Sequence, residues 1–547
     1  MANRTPREVE TVFELEATMR DGTILRADAY RPAGTGPWPV LLARTPYGKR
    51  DPGTLARLDP IRAAGRGFLV VVQDCRGRFR SGGEWTPLAH EAADGYDTVA
   101  WAAGLPGADG RVGMYGPSYL GHTLWAAAAA GPPRLIAAAT EFTWSDPQDG
   151  LVARGGAYEL GLVTQWTLTL GVDVLERRHA EHPAELGRRL AELGRALDDL
   201  VTRTYWELPA DEPLRRLGLP TPMSGRAVAA HADMQRAAVP ALIVAGWFDA
   251  FLQGSLDNYI RVHDKGLPAT LIVGPWSHDN QTSRIGETDF GDAADSTAVD
   301  GGASLLEREL DWLVRQLRQE TSEEPPVLLF VMGVNTWRRL PVWPPESVET
   351  PWYPRGDGSL SPDSPGPDAP PNAFLHIPHD PVRTHGGALL LPPEFPAGQF
   401  DQQQTEKRDD VLIYTGVPLD APLEVIGRVL LHLTVESAAL GSDWVARLCD
   451  VDPEGVSRNI TDGIRRTRQA PGRDGQGPDP VEILIDLWST AHVFLPGHRI
   501  RLQIAAGCFP RWDRNGDHAA CQAVHHDPAR PPRLVLPVVP TRSIFDV

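Results

Sequence analysis

Apolar positions follow different periods in successive stretches of the chain. In the first part, PVLLART (39–45) and GFLVVVQD (67–74) are short runs, apolar on both faces and each followed by a loop rich in Gly and Arg. That pattern predicts strands buried in a parallel sheet. DGYDTVAWAAGLP (94–106) has helical spacing and ends at a Gly and a Pro. RVGMYG (111–116) predicts another strand, and YLGHTLWAAAAAGPP (119–133) an Ala-rich helix that stops at Gly-Pro-Pro. The β-α-β-α order predicts an α/β sheet.

From 146 to 236 the period turns helical, most clearly in VDVLERRHAEHPAELGRRLAELGRALDDLVTRT (172–204), and an all-helical insertion is expected. Strand-like runs return with VPALIVAGWFD (239–249) and PATLIVGPWSHD (268–279). A helix over 303–320 and a last buried strand, PPVLLFVMG (325–333), follow. Residues 341–372 are rich in Pro, Gly, Ser and Asp and predict a connection without a core of its own. Beyond it, short β-type runs such as VIGRVLLHLTV, VEILIDLW and HRIRLQIAA alternate with turns, the pattern of an all-β sandwich or jelly roll. The expected organisation is an α/β domain over 1–145 and 237–345, a helical cap over 146–236 and a β domain over 346–547.

The length of 547 residues suits about three domains. Lys and Arg number 53 against 71 Asp and Glu, a net charge of −18. That balance excludes nucleic acid as the main partner and disfavours an anionic membrane surface. No apolar run approaches the ~20 residues of a membrane span, and the first residues lack the pattern of a signal peptide. A cytoplasmic protein is expected. Four scattered cysteines give neither a disulfide framework nor a zinc site, although a bridge between Cys508 and Cys521 stays open. DRNGD (513–517) has its Gly two places too early for a calcium loop, and no phosphate-binding loop is present. Neither a metal nor an organic cofactor is expected.

The chemistry concentrates around GMYGPSYLGH (113–122), where Ser118 stands between a predicted strand and a predicted helix. A serine on such a turn, with small neighbours to relieve crowding, is a nucleophile elbow. Gly121 falls one place later than in G-x-S-x-G, so a plain helix-capping serine weighs equally on this motif alone. The partners decide. A serine nucleophile needs a base, and the base needs a carboxylate to orient it. Asp249 and His278 each follow an apolar strand, in the chain order Ser, Asp, His. Asp257, inside the next predicted helix, and Asp279 are poorer candidates. The oxyanion hole is expected from the Tyr119 N–H, with the Tyr47 phenol as a second donor from the loop after PVLLA.

These motifs resemble those of the X-prolyl dipeptidyl peptidase-like (S15) α/β-hydrolases. The matching pieces are RTPYGKR (44–50), QDCRGRFRSGGEW (73–85), GMYGPSYLGH, AGWFDAF (245–251), VGPWSHD (273–279), VMGVNTWRRLPVWPP (331–345) and LPGHRIRLQIAAGCFPRWDRN (495–515). The resemblance implies an α/β-hydrolase sheet domain, a helical cap and a C-terminal jelly roll, with Tyr47 as the hydroxyl donor of the oxyanion hole. It implies a small-molecule ester substrate, and a homodimer is common in the family. Members that take α-amino acid esters carry acidic residues just after the triad aspartate, where this chain has Ala250, Phe251 and Leu252. Phe251 is similar to the aromatic residue of the esterase members, and Trp144 and Trp166 would complete an apolar acyl pocket without fixed negative charge. The expected activity is hydrolysis of carboxylic esters, with some amides within reach, through an acyl-enzyme. An acyltransferase, a dipeptidyl peptidase or amino-ester hydrolase, and a catalytically silent jelly-roll binding protein are the alternatives.

Overall fold

The computed structural model describes residues 8–200, 212–223, 234–320, 324–363, 365, 368–468 and 479–540. Ten strands form one sheet: β1 (Val9–Thr18), β2 (Ile24–Pro32), β3 (Trp38–Thr45), β4 (Leu69–Asp74), β5 (Ala108–Pro117), β6 (Leu135–Glu141), β7 (Ala241–Phe248), β8 (Ala269–Ser277), β9 (Val327–Val331) and β10 (Thr336–Leu340). Their order is β1-β2-β4-β3-β5-β6-β7-β8-β9-β10. From β4 to β9 neighbours run parallel. β1, β2 and β10 pair antiparallel at the flanks.

Successive side chains of a strand point to opposite faces, and both faces here are covered. Helices α1 (Pro52–Leu58), α2 (Pro60–Gly65), α3 (Glu91–Ala103), α4 (Tyr119–Ala130), α5 (Leu160–Arg178), α6 (Pro183–Asp199), α7 (Glu212–Leu217), α8 (Leu252–Asp264) and α9 (Leu305–Arg318) supply the cover and the insertion. Val40 and Leu42 of β3 pack with Val99 of α3, Leu124 of α4 and Leu256 of α8. Leu41 and Ala43 pack on the other side with Leu58 of α1, Ala63 of α2 and Leu310 of α9. This two-sided burial is why β4 and β7, buried at every residue, read as unbroken apolar runs.

The register sets the chemistry. Pro117 pairs with Glu141, and Phe248 faces Ser277. The residues that follow β5, β7 and β8 therefore emerge at one edge of the sheet.

Between β6 and β7 lie α5, α6 and α7. The helical run read over 172–204 is broken at Pro183, which opens α6. Its last residues, 201–204, lie outside the described residues, as do 205–211 and 224–233 of the same insertion. Among the described residues no helix is long and apolar enough to cross a membrane.

The C-terminal region is rich in antiparallel strands. Val411–Thr415, Arg499–Ala505, Gly441–Val451 and Ser457–Arg468 form a four-stranded sheet. Leu423–Ser437 pairs with Val481–Phe494, Ala520–Val524 and Arg533–Val538 within a seven-stranded one. One expectation is corrected: 341–372 is not a bare connection. Val348–Pro354 pairs with Arg533–Val538, which buries Trp352 and Leu360 despite the flanking prolines. Cys508 is buried and Cys521 exposed, and both are free thiols, so the bridge left open between them is absent.

A buried charge cluster joins the insertion to the β domain. Asp462 pairs with Arg511 at 2.8 Å and with Arg154 at 3.5 Å. Trp512 donates its indole N–H to Glu159 at 2.8 Å, and the Arg154 guanidinium lies over the Trp488 ring.

Candidate active site

Ser118 follows β5 and opens α4 with φ 56° and ψ −123°. For a residue with a Cβ this backbone costs about 1–3 kcal/mol, so the surroundings must enforce it. They do: the Ser118 N–H donates to Glu141 O at 2.8 Å, and Ser118 O accepts from Thr143 Oγ1 at 2.8 Å and from the His122 N–H at 3.1 Å. The displaced glycine of the motif has a steric cause. A Cβ on Gly121 would lie 2.3 Å from Thr140 Oγ1 and 2.9 Å from Thr143 Cβ. The first turn of α4 thus lies against the end of β6 and the loop beyond it, and the close approach falls at the third residue after the serine.

As the first helical residue of α4, Tyr119 has no carbonyl one turn back to accept its N–H. Its ring is locked. The hydroxyl donates to Glu91 Oε1 at 3.0 Å and accepts from the Leu88 N–H at 2.8 Å.

Asp249 follows β7 and is fully buried; His278 follows β8 and is 8% exposed. His278 Nδ1 lies 2.7 Å from Asp249 Oδ1. An ionised carboxylate only accepts, so Nδ1 carries the proton and Nε2 is left as a base. The second oxygen of Asp249 accepts from the Phe251 N–H at 2.9 Å. Asp257 instead sits on α8, accepting from Gln253 at 2.9 Å.

Tyr47 stands in the loop after β3. Trp166 donates its indole N–H to the Tyr47 hydroxyl at 3.1 Å, which leaves the phenolic proton for another acceptor. Burial pushes the phenol up to about 12, against hydrogen bonding with Trp166 and Ser118. The phenol therefore keeps its proton near neutral pH.

A cavity of about 620 Å³ brings Tyr47, Ser118 and His278 together, with Trp166 and Leu162 of α5 and Leu390 of the C-terminal region on its wall. Trp144 and Phe251 are not on that wall. They are buried behind it, their ring centroids 4.9 Å apart, and Phe251 meets the His278 ring edge-on at 5.3 Å. Trp166 stacks on Tyr119 at 5.7 Å, and Tyr119 contacts Trp144 at 6.2 Å. The rings thus form a string, Trp166–Tyr119–Trp144–Phe251–His278, of which Trp166 alone among the three expected pocket rings faces the cavity.

The expectation of a cavity free of negative charge is also corrected. Asp173 and Glu176 of α5 line it, with Arg57 and Arg78. Asp173 is matched by Arg78 at 3.3 Å, whereas Glu176 is exposed. Nothing near Ser118, Asp249 or His278 in the sequence signals these groups; helical spacing on α5 turns Trp166, Asp173 and Glu176 toward one side, and only the docking of α5 aims that side at Ser118.

Comparison with known proteins agrees over nearly the whole chain. Residues 21–280 match the family model of the X-Pro dipeptidyl-peptidase (S15 family), and residues 320–535 that of the X-Pro dipeptidyl-peptidase C-terminal non-catalytic domain. The cocaine esterase of Rhodococcus sp. (strain MB1 Bresler) is 35% identical over 95% of this chain and 97% of its own. Two solved structures share the fold at 23% identity. An aminopeptidase from the marine sediment archaeon Thaumarchaeota archaeon superposes with a TM-score of 0.75 over 98% of this chain and 97% of its own. An α-amino acid ester hydrolase superposes with a TM-score of 0.73 over 98% of both.

Proposed function

The chain belongs to the X-Pro dipeptidyl-peptidase (S15) family and is a serine ester hydrolase, and from that premise we propose that it works through an acyl-enzyme on Ser118 and favours esters of aromatic or bulky apolar acids. The observation that carries the reading is the 2.7 Å bond between His278 and buried Asp249, from two strand ends, beside a cavity that also holds Ser118. His278 Nε2 takes the Ser118 proton as Oγ attacks the ester carbonyl. Asp249 stabilises the imidazolium that forms. The Tyr47 hydroxyl and the Tyr119 N–H hold the oxyanion. Collapse expels the alcohol, protonated by His278, and water repeats the sequence on the acyl-enzyme.

Tyr47→Phe tests the oxyanion role. It is expected to lower kcat by roughly 10²-fold or more with little change in KM, because the donor binds developing charge more strongly than a neutral carbonyl. A loss confined to KM would place the phenol in ground-state binding instead.

The acyl preference rests on Trp166, Leu162 and Leu390 beside Ser118. A second reading, hydrolysis of α-amino acid esters, is favoured by Glu176 on the same wall. The experiment compares kcat/KM for a benzoate ester and a phenylglycine ester of one alcohol. The apolar wall beside Ser118 leaves a buried ammonium unpaired, at a cost of several kcal/mol, so the benzoate is expected to react faster by 10-fold or more (about 1.4 kcal/mol). Preference for the amino acid ester would assign Glu176 to ammonium binding.

A further inference from the structure

The geometry points to Arg57 as a positioning residue that holds the base and the nucleophile in register, an inference that rests on Ser118 and His278 acting as proposed above. Arg57 lies in the last turn of α1, and its side chain, 30% exposed, is on the cavity wall. Its guanidinium forks. One arm reaches Glu141 Oε2 at 3.2 Å, and the other reaches Gln281 Oε1 at 3.2 Å.

Each partner is tied to one half of the reaction. Glu141 accepts the Ser118 N–H on its backbone carbonyl at 2.8 Å. Gln281 donates from Nε2 to His278 O at 2.9 Å and to Ser277 O at 3.0 Å. Between these arms the guanidinium covers the Phe142 ring at 5.4 Å, and the same ring meets the His278 imidazole edge-on at 6.2 Å. One planar cation thus braces the loop after β8 against the elbow after β5. A planar fork does this in a way an ammonium cannot.

The charge on Arg57 is matched from behind. Glu309 of α9 is buried against Glu141, and burial, with the neighbouring carboxylate, holds its carboxyl well above the usual range.

Arg57→Gln and Arg57→Lys test this through kcat and KM on one ester, with a fluorophosphonate titration to count functional serines. Arg57→Gln is expected to lose roughly 10–100-fold in kcat, with KM within about threefold. Arg57→Lys, which keeps the charge but not the fork, should recover part of kcat. Wild-type kcat in Arg57→Gln would overturn the assignment, as would a loss in KM alone or an equal fall in kcat in both variants. Should Arg57→Gln not fold, Arg57→Lys decides: a lowered kcat with KM held supports the assignment, and a wild-type kcat or a loss in KM alone overturns it. Ser118→Ala measured alongside separates the two readings. An active Ser118→Ala overturns the triad and Arg57 together, whereas an inactive one beside an unaltered Arg57→Gln overturns Arg57 alone.

Discussion

Ser118→Ala is expected to lose ester turnover by at least ~10⁴-fold while unfolding at nearly the wild-type temperature. The hydroxyl supplies the attacking oxygen, and no other nucleophile shares its place in the motif. Stability should hold because the bonds that fix this residue run from its backbone, to Glu141, Thr143 and His122, and alanine keeps them. Alanine also keeps the Cβ and therefore the strain of φ 56°. Ser118→Gly is the informative partner: equally inactive, it should unfold at a higher temperature than Ser118→Ala, by about 1 kcal/mol of released strain. Rate measurements on a fast ester and paired thermal melts check both halves. An alanine variant within tenfold of wild type would remove Ser118 from the mechanism.

Asp249→Asn is expected to cost roughly 10³–10⁴-fold in kcat, for a reason visible in the hydrogen bonds. The Phe251 N–H already points at one oxygen of Asp249. In the amide that position must be the carbonyl oxygen, which turns the NH₂ toward His278 Nδ1. Two donors cannot face each other, so the imidazole proton moves to Nε2, and the base can no longer accept from Ser118. Asp257→Asn should react at close to the wild-type rate, since that carboxyl contacts Gln253 and faces a separate cavity with Arg261 and Arg428. The reverse pattern, an impaired Asp257→Asn beside a normal Asp249→Asn, would exchange their roles.

Much of the sheet was readable from the chain because burial on two faces writes itself as unbroken apolar runs, as in LVVVQD and ALIVAGWF. The same logic made Ser118, Asp249 and His278 candidates, since each follows such a run. The edge strands were not readable. Val9–Thr18 is exposed along much of its length, and Val348–Pro354 is set among prolines, so neither shows a buried period. Their pairing is decided by the sheet they join, for Val348–Pro354 through a partner strand at Arg533–Val538. Arg57, Asp173 and Glu176 were unreadable for a related reason: a helix shows which of its faces is apolar, but not which neighbour a polar side chain will meet. Trp144 and Phe251 show the converse. Their residue type suggested a pocket wall, and packing around Tyr119 places them one layer deeper.

The pairing of Asp462 with Arg154 and Arg511 makes the β domain a foundation for the catalytic cavity. Arg154 and Glu159 stand just ahead of α5, the helix that brings Trp166, Asp173 and Glu176 over Ser118. Breaking a buried ion pair by removing one partner typically costs about 3–5 kcal/mol, and withdrawing the β domain would strand several such groups at once and take Leu390 from the cavity wall. The roof over the serine is therefore pinned at its root by a part of the chain more than 300 residues away in sequence. Changes in the β domain's buried charges would reach the substrate by tilting α5, so selection on this enzyme's specificity can act far from any residue that touches the ester.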